Sequence, residues 1–287
     1  MKRIGIFANP TLKGIGDVVD HFVALLASRG ATVLLLDELR TVCGKPTGVF
    51  CSEAELECQA DLLLAMGGDG NLLRAARLVQ AVGTPILGVN LGRLGFLTEA
   101  DPGELEESLE RLLDGVYEIE ERMALRARVG DQTAFALNEV VIERSVTARQ
   151  IQVKTWISEG LVSSFFGNGL IISTPTGSTS YNLSAGGPVI HPAMDALIVT
   201  PICPHSLSLK PTVVPSDQSI TVQTFAAPSD IMLTADGQTV CSLKPGDRVE
   251  VVRAATPVRL IHLKGLSFYE ILRRKLNWSL DRREQEG

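Results

Sequence analysis

The sequence predicts an N-terminal parallel-sheet α/β domain joined to a C-terminal β-sandwich domain, with a last helix packing back on the first domain. Three observations carry this. Up to about residue 115, short apolar strands alternate with amphipathic helices. From about Tyr117 the hydrophobic period changes to two. After Gly265 a helical pattern returns. A chain of 287 residues holds two domains of roughly 150 residues each, although one large α/β domain also fits that length.

Residues 2–8 read as a buried strand. Residues 17–29 carry Val18, Val19, Phe22, Val23, Leu25 and Leu26 at helical spacing, and Gly30 suits the position after a helix end. Residues 31–37 form a second strand, 53–59 a short helix, and 61–66 a third strand that stops at Gly67-Gly68. A helix over 71–80, a strand over 85–90 and a helix after Asp101-Pro102 continue the series. In that last helix Asp101 is placed to cap and Pro102 to occupy the first position, while Leu105, Leu109, Leu112 and Leu113 form the apolar stripe before Gly115. Repeated βα units imply a parallel sheet with helices on its faces. Alternation over 123–129, 150–157, 219–225, 248–252 and 258–263 predicts antiparallel strands. The boundary falls near residue 118, giving a first domain of 1–118 with the returning helix in 265–287, and a second of 119–264. In the returning helix Phe268, Ile271, Leu272 and Leu276 share a face, and the charged tail 281–287 is expected to fray.

Composition excludes several classes. Hydrophobic residues at 45% and charged residues at 21% are globular values, not those of a disordered chain. A net charge of -6 provides no global positive field for nucleic acid or an anionic membrane. Apolar runs such as 60–66 and 196–200 break long before the ~20 residues that span a bilayer. The opening MKRIGIFANP reaches Asn9-Pro10 before an export signal can form, so a soluble, cytoplasmic protein is expected. The five cysteines lack zinc-finger spacing and read as cytosolic thiols. Cys43, Cys51 and Cys58 form a cluster that could take a metal or act as a redox switch, or could simply be small buried residues. No metal-ligating set stands out.

Three motifs could carry chemistry. Gly67-Gly68-Asp69-Gly70-Asn71 joins a strand to a helix, where a glycine-rich turn lets backbone approach phosphate and the helix presents free N–H groups. There Asp69 could accept a hydroxyl proton or help hold Mg²⁺; the alternative is a tight turn in which Asp69 caps the helix. No Walker A sequence is present, and Gly14-x-Gly16 lacks the third glycine of a dinucleotide fingerprint. The second motif is the stretch 167–182, with Asn168, Thr174, Pro175, Thr176, Gly177, Ser178, Thr179, Ser180 and Tyr181, continuing through 184–188. Its hydroxyls and aromatic ring suit ribose, phosphate and a stacked base, or else it is an elaborate turn between strands. The third is Asn138-Glu139, an amide that can pair with adenine beside a carboxylate that can accept from ribose, or a solvated strand end. Smaller candidates are the turn 90–97, containing Phe96, and Asp236-Gly237-Gln238, which could be a hairpin turn alone.

In order and spacing these segments together resemble the NAD kinase family, and they span nearly the whole chain. The Gly-Gly-Asp-Gly turn is shared with diacylglycerol, sphingosine and 6-phosphofructokinases; the Thr-Pro-Thr-Gly-Ser-Thr segment is the part specific to NAD kinases. The resemblance implies a cytoplasmic homodimer or homotetramer with its active site between the two domains. It implies transfer of the γ-phosphoryl group of ATP, with Mg²⁺ or another divalent cation, to the 2′-hydroxyl of the adenosine ribose of NAD, giving NADP. By the same resemblance Asp69 is the general base and Gly67, Gly68 and Gly70 contact phosphate. Asn138 and Glu139 bind the dinucleotide, Thr176, Thr179 and Tyr181 line the adenosine pocket, and Gly68, Gly70, Asn71, Phe96, Asn168 and Ser180 complete the dinucleotide site. Three positions depart from the family's usual residues: Asn168 for Asp, Ser180 for Ala and Lys210 for Arg. Asn168 is expected to face the dinucleotide, or else to be a left-handed turn residue before Gly169. Two other readings use the same turn: a lipid kinase, and a sensor that binds NAD(H) without turnover. The carboxylate at Asp69 argues against the sensor.

Overall fold

The computed structural model describes residues 2–44, 47–92, 95–98, 105–145, 150–225, 231–263 and 267–276. The chain divides into two units, Met1–Glu121 with Val258–Gly287, and Arg122–Pro257.

The first unit is built on strands that are apolar on both faces, as a sheet covered by helices requires. These are β1 (Arg3–Ala8), β2 (Thr32–Leu36), β3 (Val49–Cys51), β4 (Leu62–Gly67) and β5 (Ile86–Asn90). Four helices connect or follow them: α1 (Ile15–Ser28), α2 (Glu53–Gln59), α3 (Asp69–Leu78) and α4 (Leu105–Leu113). Helix α2 starts at a capping box in which Ser52 and Glu55 satisfy each other's backbone N–H. The proposed cap of α4, Asp101-Pro102, lies outside the described residues, as do Arg93, Leu94, Gly265 and the tail 281–287.

Strand order is β3-β2-β1-β4-β5, continued by β19 (Val258–His262) and β6 (Glu118–Arg122). The chain runs outward from β1 to β3 and then returns to β1's other flank with β4. This reversal is a topological switch point, and ligands of such sheets sit at the carboxyl ends of the strands that flank it. Those ends are Ala8 on β1 and Gly67 on β4, paired parallel through Ala8 opposite Met66.

One stretch departs from the expected organisation. Residues 258–263 were expected in the antiparallel part, but β19 pairs parallel with β5, Leu260 opposite Ile86. The reason shows in its burial: consecutive Leu260 and Ile261 are both buried, the mark of a strand covered on both faces. Alternation alone could not say which sheet it enters. Helix α6 (Phe268–Leu276) follows in the same unit.

The second unit is two six-stranded antiparallel sheets. One has the order β11-β10-β15-β18-β7-β8 and the other β14-β13-β12-β9-β16-β17. In the first are β7 (Leu125–Val129), β8 (Gln132–Ala136), β10 (Ile151–Ile157), β11 (Gly160–Gly167), β15 (Ile220–Phe225) and β18 (Arg248–Arg253). In the second are β9 (Glu139–Arg144), β12 (Gly169–Ser173), β13 (Ala196–Ile202), β14 (Thr212–Pro215), β16 (Ile231–Ala235) and β17 (Gln238–Leu243). One core joins the inner faces, with Leu125, Val153 and Val222 from the first sheet against Ile142, Ile172 and Leu233 from the second. That is a β-sandwich. The outer face of the second sheet carries Glu139, Val141 and Glu143 at the alternate positions of β9, and this face positions the site.

Candidate active site

In the first unit the glycine turn is shaped by one glycine and left open by two others. Gly67 has φ 149, which L side chains avoid, and a Cβ there would stand 3.1 Å from the Cβ of Asn71. Among the described residues, a Cβ added at Gly68 or Gly70 meets nothing within 4 Å. The packing of the described residues therefore does not demand glycine at these two positions, which suits close approach by a ligand. Helix α3 begins at Asp69, two residues earlier than the sequence indicates, and its N-cap is Gly68. Asp69 is thus not the cap. Its carboxylate reaches across to the segment 95–97, accepting from the backbone N–H of Phe96 at 2.8 Å and of Leu97 at 3.1 Å. Gly95 makes this possible, since a Cβ there would lie 1.9 Å from Asp69 Oδ1.

Asn71 was placed among the dinucleotide ligands, and its amide nitrogen does something else. Nδ2 donates to Phe7 O at 3.1 Å and Met66 O at 3.0 Å, strutting β1 to β4 at the switch point. Only Oδ1 is left for other work, and it is buried without a partner among the described residues. The Phe96 ring is half-buried, with Lys275 Nζ of α6 5.3 Å from its centroid.

In the second unit Asn138-Glu139 opens β9, and two segments converge on it. The carboxylate of Asp236 accepts from the N–H of Leu137 and Asn138 at 2.8 Å each and of Glu139 at 3.2 Å. From the other side Thr174 N–H donates to Asn138 O at 2.9 Å and Thr174 Oγ1 to Leu137 O at 2.6 Å. Gly177 lies so close that a Cβ would stand 2.2 Å from Asn138 O. Asp236 and Gly237 both have positive φ, 48 and 72, as a two-residue hairpin turn between β16 and β17 requires. The turn reading of Asp236-Gly237 is right, and the carboxylate has a second task.

Glu139 is buried. Its Oε1 accepts from Ser180 Oγ at 3.2 Å, while Oε2 is buried without a hydrogen bond among the described residues. Burial, with the negative charge of Asp236 next in importance, pushes its carboxyl up to about 7; Ser180 and the Tyr181 N–H offset part of this.

Much of the hydroxyl-rich loop is internal carpentry, so only some of its hydroxyls are open to sugar and phosphate. Thr174, Thr176 and Ser178 are buried. Ser178 Oγ bridges the backbone of Ile190, Thr176 Oγ1 accepts from Arg122 Nη1 at 3.5 Å, and Asn182 accepts from Thr200. Thr179 and Ser180 are half-buried at the surface and Tyr181 is exposed, its hydroxyl donating to Glu143 Oε2 at 3.2 Å.

A cleft of about 530 Å³ opens beside them, lined by Glu143, Arg144, Asn168, Tyr181, Ile202 and Met232 among others. Asn168 therefore lines a cleft, accepting at Oδ1 from Arg144 Nε at 2.9 Å. It is not among the residues with positive φ, which overturns the left-handed turn reading. Lys210 is exposed, its carbonyl accepting from Thr212 Oγ1.

The sequence reading missed Glu143 and Arg144. The signal for Glu143 was available, since Glu139, Val141 and Glu143 alternate onto one strand face, whereas nothing in the alternation marks Arg144. The cysteines are all free; burial and the nearby Asp20 push the Cys43 thiol up to about 11, and burial also raises Cys51, so both stay protonated.

Phosphoryl transfer asks a protein for alignment and charge stabilisation rather than a covalent nucleophile. The chain supplies a fixed carboxylate beside open helix N–H groups at a switch point, and a second unit with buried acceptors near an exposed aromatic. That makes it a nucleotide-dependent phosphotransferase. The family model of the ATP-NAD kinase N-terminal domain matches residues 4–117, and that of the ATP-NAD kinase C-terminal domain matches 137–263. The NAD kinase of Moorella thermoacetica is 43% identical over 291 residues, covering 100% of this chain and 93% of that protein. That of Geotalea daltonii is 42% identical over 287 residues, covering 97% and 99%. Among solved structures, yeast NADH kinase complexed with NADH shares the fold, with a TM-score of 0.91 at 21% identity over 98% of this chain and 89% of that one. An NAD kinase from Archaeoglobus fulgidus in complex with ATP has a TM-score of 0.77 at 28% identity, over 96% and 98%. The chain belongs to the NAD kinase family, and its activity is ATP-dependent phosphorylation of the adenosine-ribose 2′-hydroxyl of NAD to give NADP.

Proposed function

We propose that Asp69 is the general base for this reaction and that Asn138, Glu139, Thr176, Thr179, Ser180 and Tyr181 hold the dinucleotide. The observation that carries the second half is Glu139: a buried carboxylate with one oxygen satisfied by Ser180 and the other without a hydrogen bond among the described residues is an acceptor shaped for a ligand donor such as a ribose hydroxyl. Asn138 adds an amide whose two edges match adenine, and the Tyr181 ring offers a face for stacking. Asp69 accepts two backbone N–H bonds that fix its orientation, and a carboxylate with two oxygens keeps further lone pairs that can take the proton from a hydroxyl. Gly67, Gly68 and Gly70 keep the turn low beneath the phosphates, with the N–H groups of the first turn of α3 favouring negative charge.

Mg²⁺ would accompany ATP. Among the described residues no group of three or more His, Cys, Asp or Glu is placed to hold a metal. The chemistry of the donors present fits a cation carried by the nucleotide phosphates, with the hard oxygens of Asp69 beside it. When bound there, the ion neutralises charge developing on the phosphate oxygens.

A cytoplasmic location is supported by the free thiols, the state that a reducing compartment maintains. No helix among the described residues is long and apolar enough to cross a membrane. Assembly as a homodimer or homotetramer is supported by exposed Leu161, Val162 and Phe166 on edge strand β11. Purified protein incubated with ATP, Mg²⁺ and NAD, and read with an NADP-specific dehydrogenase, should yield NADP; NAD binding without product would identify a sensor.

A further inference from the structure

Asp236 lies outside the groups assigned to bind or react, yet its carboxylate is the point on which three consecutive backbone N–H groups converge. It accepts from Leu137, Asn138 and Glu139 while its own N–H donates to Glu139 O at 3.0 Å. A bare hairpin turn needs none of these side-chain bonds. The Asp-Gly pair already satisfies the turn's demand for positive φ, and Asn would serve it as well. We propose that Asp236 is a positioning residue for the dinucleotide: by holding the peptide N–H groups of 137–139 it sets the direction in which the Asn138 and Glu139 side chains are presented. The proposal rests on the reading that those two side chains bind NAD.

The arrangement has a second, electrostatic consequence. Glu139 faces the carboxylate of Asp236 from the hairpin, the Ser180 hydroxyl and Tyr181 from the loop, and Glu143 further along its own strand. Asp236 thus disfavours the ionised form of Glu139 while aiming it. In the wild-type protein the KM for NAD should fall as pH rises through about 7, as Glu139 becomes a full acceptor.

Two variants separate geometry from charge. Asp236→Asn turns an NH₂ toward backbone donors and removes the charge. It should raise the KM for NAD by roughly 10-fold, about 1.4 kcal/mol, with kcat little changed, and should lower the pH midpoint of KM while burial keeps it above the usual carboxylate range. Asp236→Glu keeps the charge but is one methylene too long to accept the same three bonds. It should raise KM by a similar factor and leave the midpoint near its wild-type place. A KM within twofold of wild type in either variant overturns the proposal, as does an unmoved midpoint in Asp236→Asn. If neither variant is soluble, the carboxylate serves the fold itself and a role confined to binding is equally overturned. Asn138→Ala, measured in parallel, tells the two levels apart. An unchanged KM there removes the reading of the site, whereas a raised KM there with none in the Asp236 variants removes this proposal alone.

Discussion

Gly177→Ala tests whether the hydroxyl-rich loop rests on the dinucleotide-binding strand. The added methyl would stand 2.2 Å from Asn138 O, 2.5 Å from its carbonyl carbon and 2.7 Å from its Cα. All three are backbone atoms, so no rotamer change relieves the clash; loop and strand must part by about an ångström. Asn138 cannot give way alone, because Asp236 holds its N–H and Thr174 donates to its carbonyl. Overpacking of this kind costs about 1–3 kcal/mol. At roughly 2–4 °C per kcal/mol for a chain of this size, Tm should drop by about 2–12 °C. Because the displaced group is Asn138, the KM for NAD should rise several-fold while that for ATP stays within twofold. Thermal melts and initial-rate kinetics on the same preparation measure both. A Tm within 1 °C of wild type and an unchanged KM for NAD would refute the close packing of Gly177 on Asn138.

Other outcomes follow from the same geometry. Tyr181→Ala should weaken NAD binding by about 1–3 kcal/mol through lost stacking, seen as a raised KM for NAD with that for ATP little affected; equal effects on both substrates would count against a stacking role. Glu139, with its carboxyl raised to about 7 in the folded protein against about 4.3 unfolded, contributes stability that is fully present below about pH 4.3 and is lost as pH rises through 7. Urea unfolding should therefore show wild type losing on the order of 3 kcal/mol relative to Glu139→Gln between pH 4 and 8.5, and parallel pH profiles would contradict the burial argument. Asn168→Asp places a carboxylate beside the Arg144 guanidinium that already donates to this side chain. The pair largely neutralises itself, so the preference for NAD over NADH, read as a ratio of kcat/KM values, should rise by no more than about 3-fold. It should widen to about 10-fold when Arg144→Gln is added, and a 10-fold change in the single variant would show that Arg144 does not shield the site.

What was legible in the sequence was whatever short-range physics decides. Helix α2 has the length expected of it, and Ser52 and Glu55 mark its start chemically. The switch-point turn was read because Gly67-Gly68 ends an apolar run, and Asn138-Glu139 because polar residues head one. What was not legible depended on partners far away in the chain. Residues 258–263 join the parallel sheet through a neighbour, β5, some 170 positions earlier, and period two cannot report that. The capping alternative for Asp69 stayed open in the sequence because its backbone partners, the N–H groups of Phe96 and Leu97, lie 27 and 28 residues on. The hydroxyls of Thr174 and Ser178 looked free because the carbonyls of Leu137 and Ile190 that take them up are invisible in composition. Strand β3, only three residues long, carries too little pattern to be seen at all.

The central claim, that Asp69 acts on the proton of the acceptor hydroxyl while other residues hold the dinucleotide, is tested most directly by calorimetry and turnover on Asp69→Asn. The substitution keeps the side chain's shape and one of its two acceptor oxygens for Phe96 or Leu97. NAD should still bind with an affinity within a few-fold of wild type, while NADP formation falls by about 10² to 10⁴-fold. Turnover near the wild-type rate, or loss of NAD binding in step with loss of activity, would contradict the account.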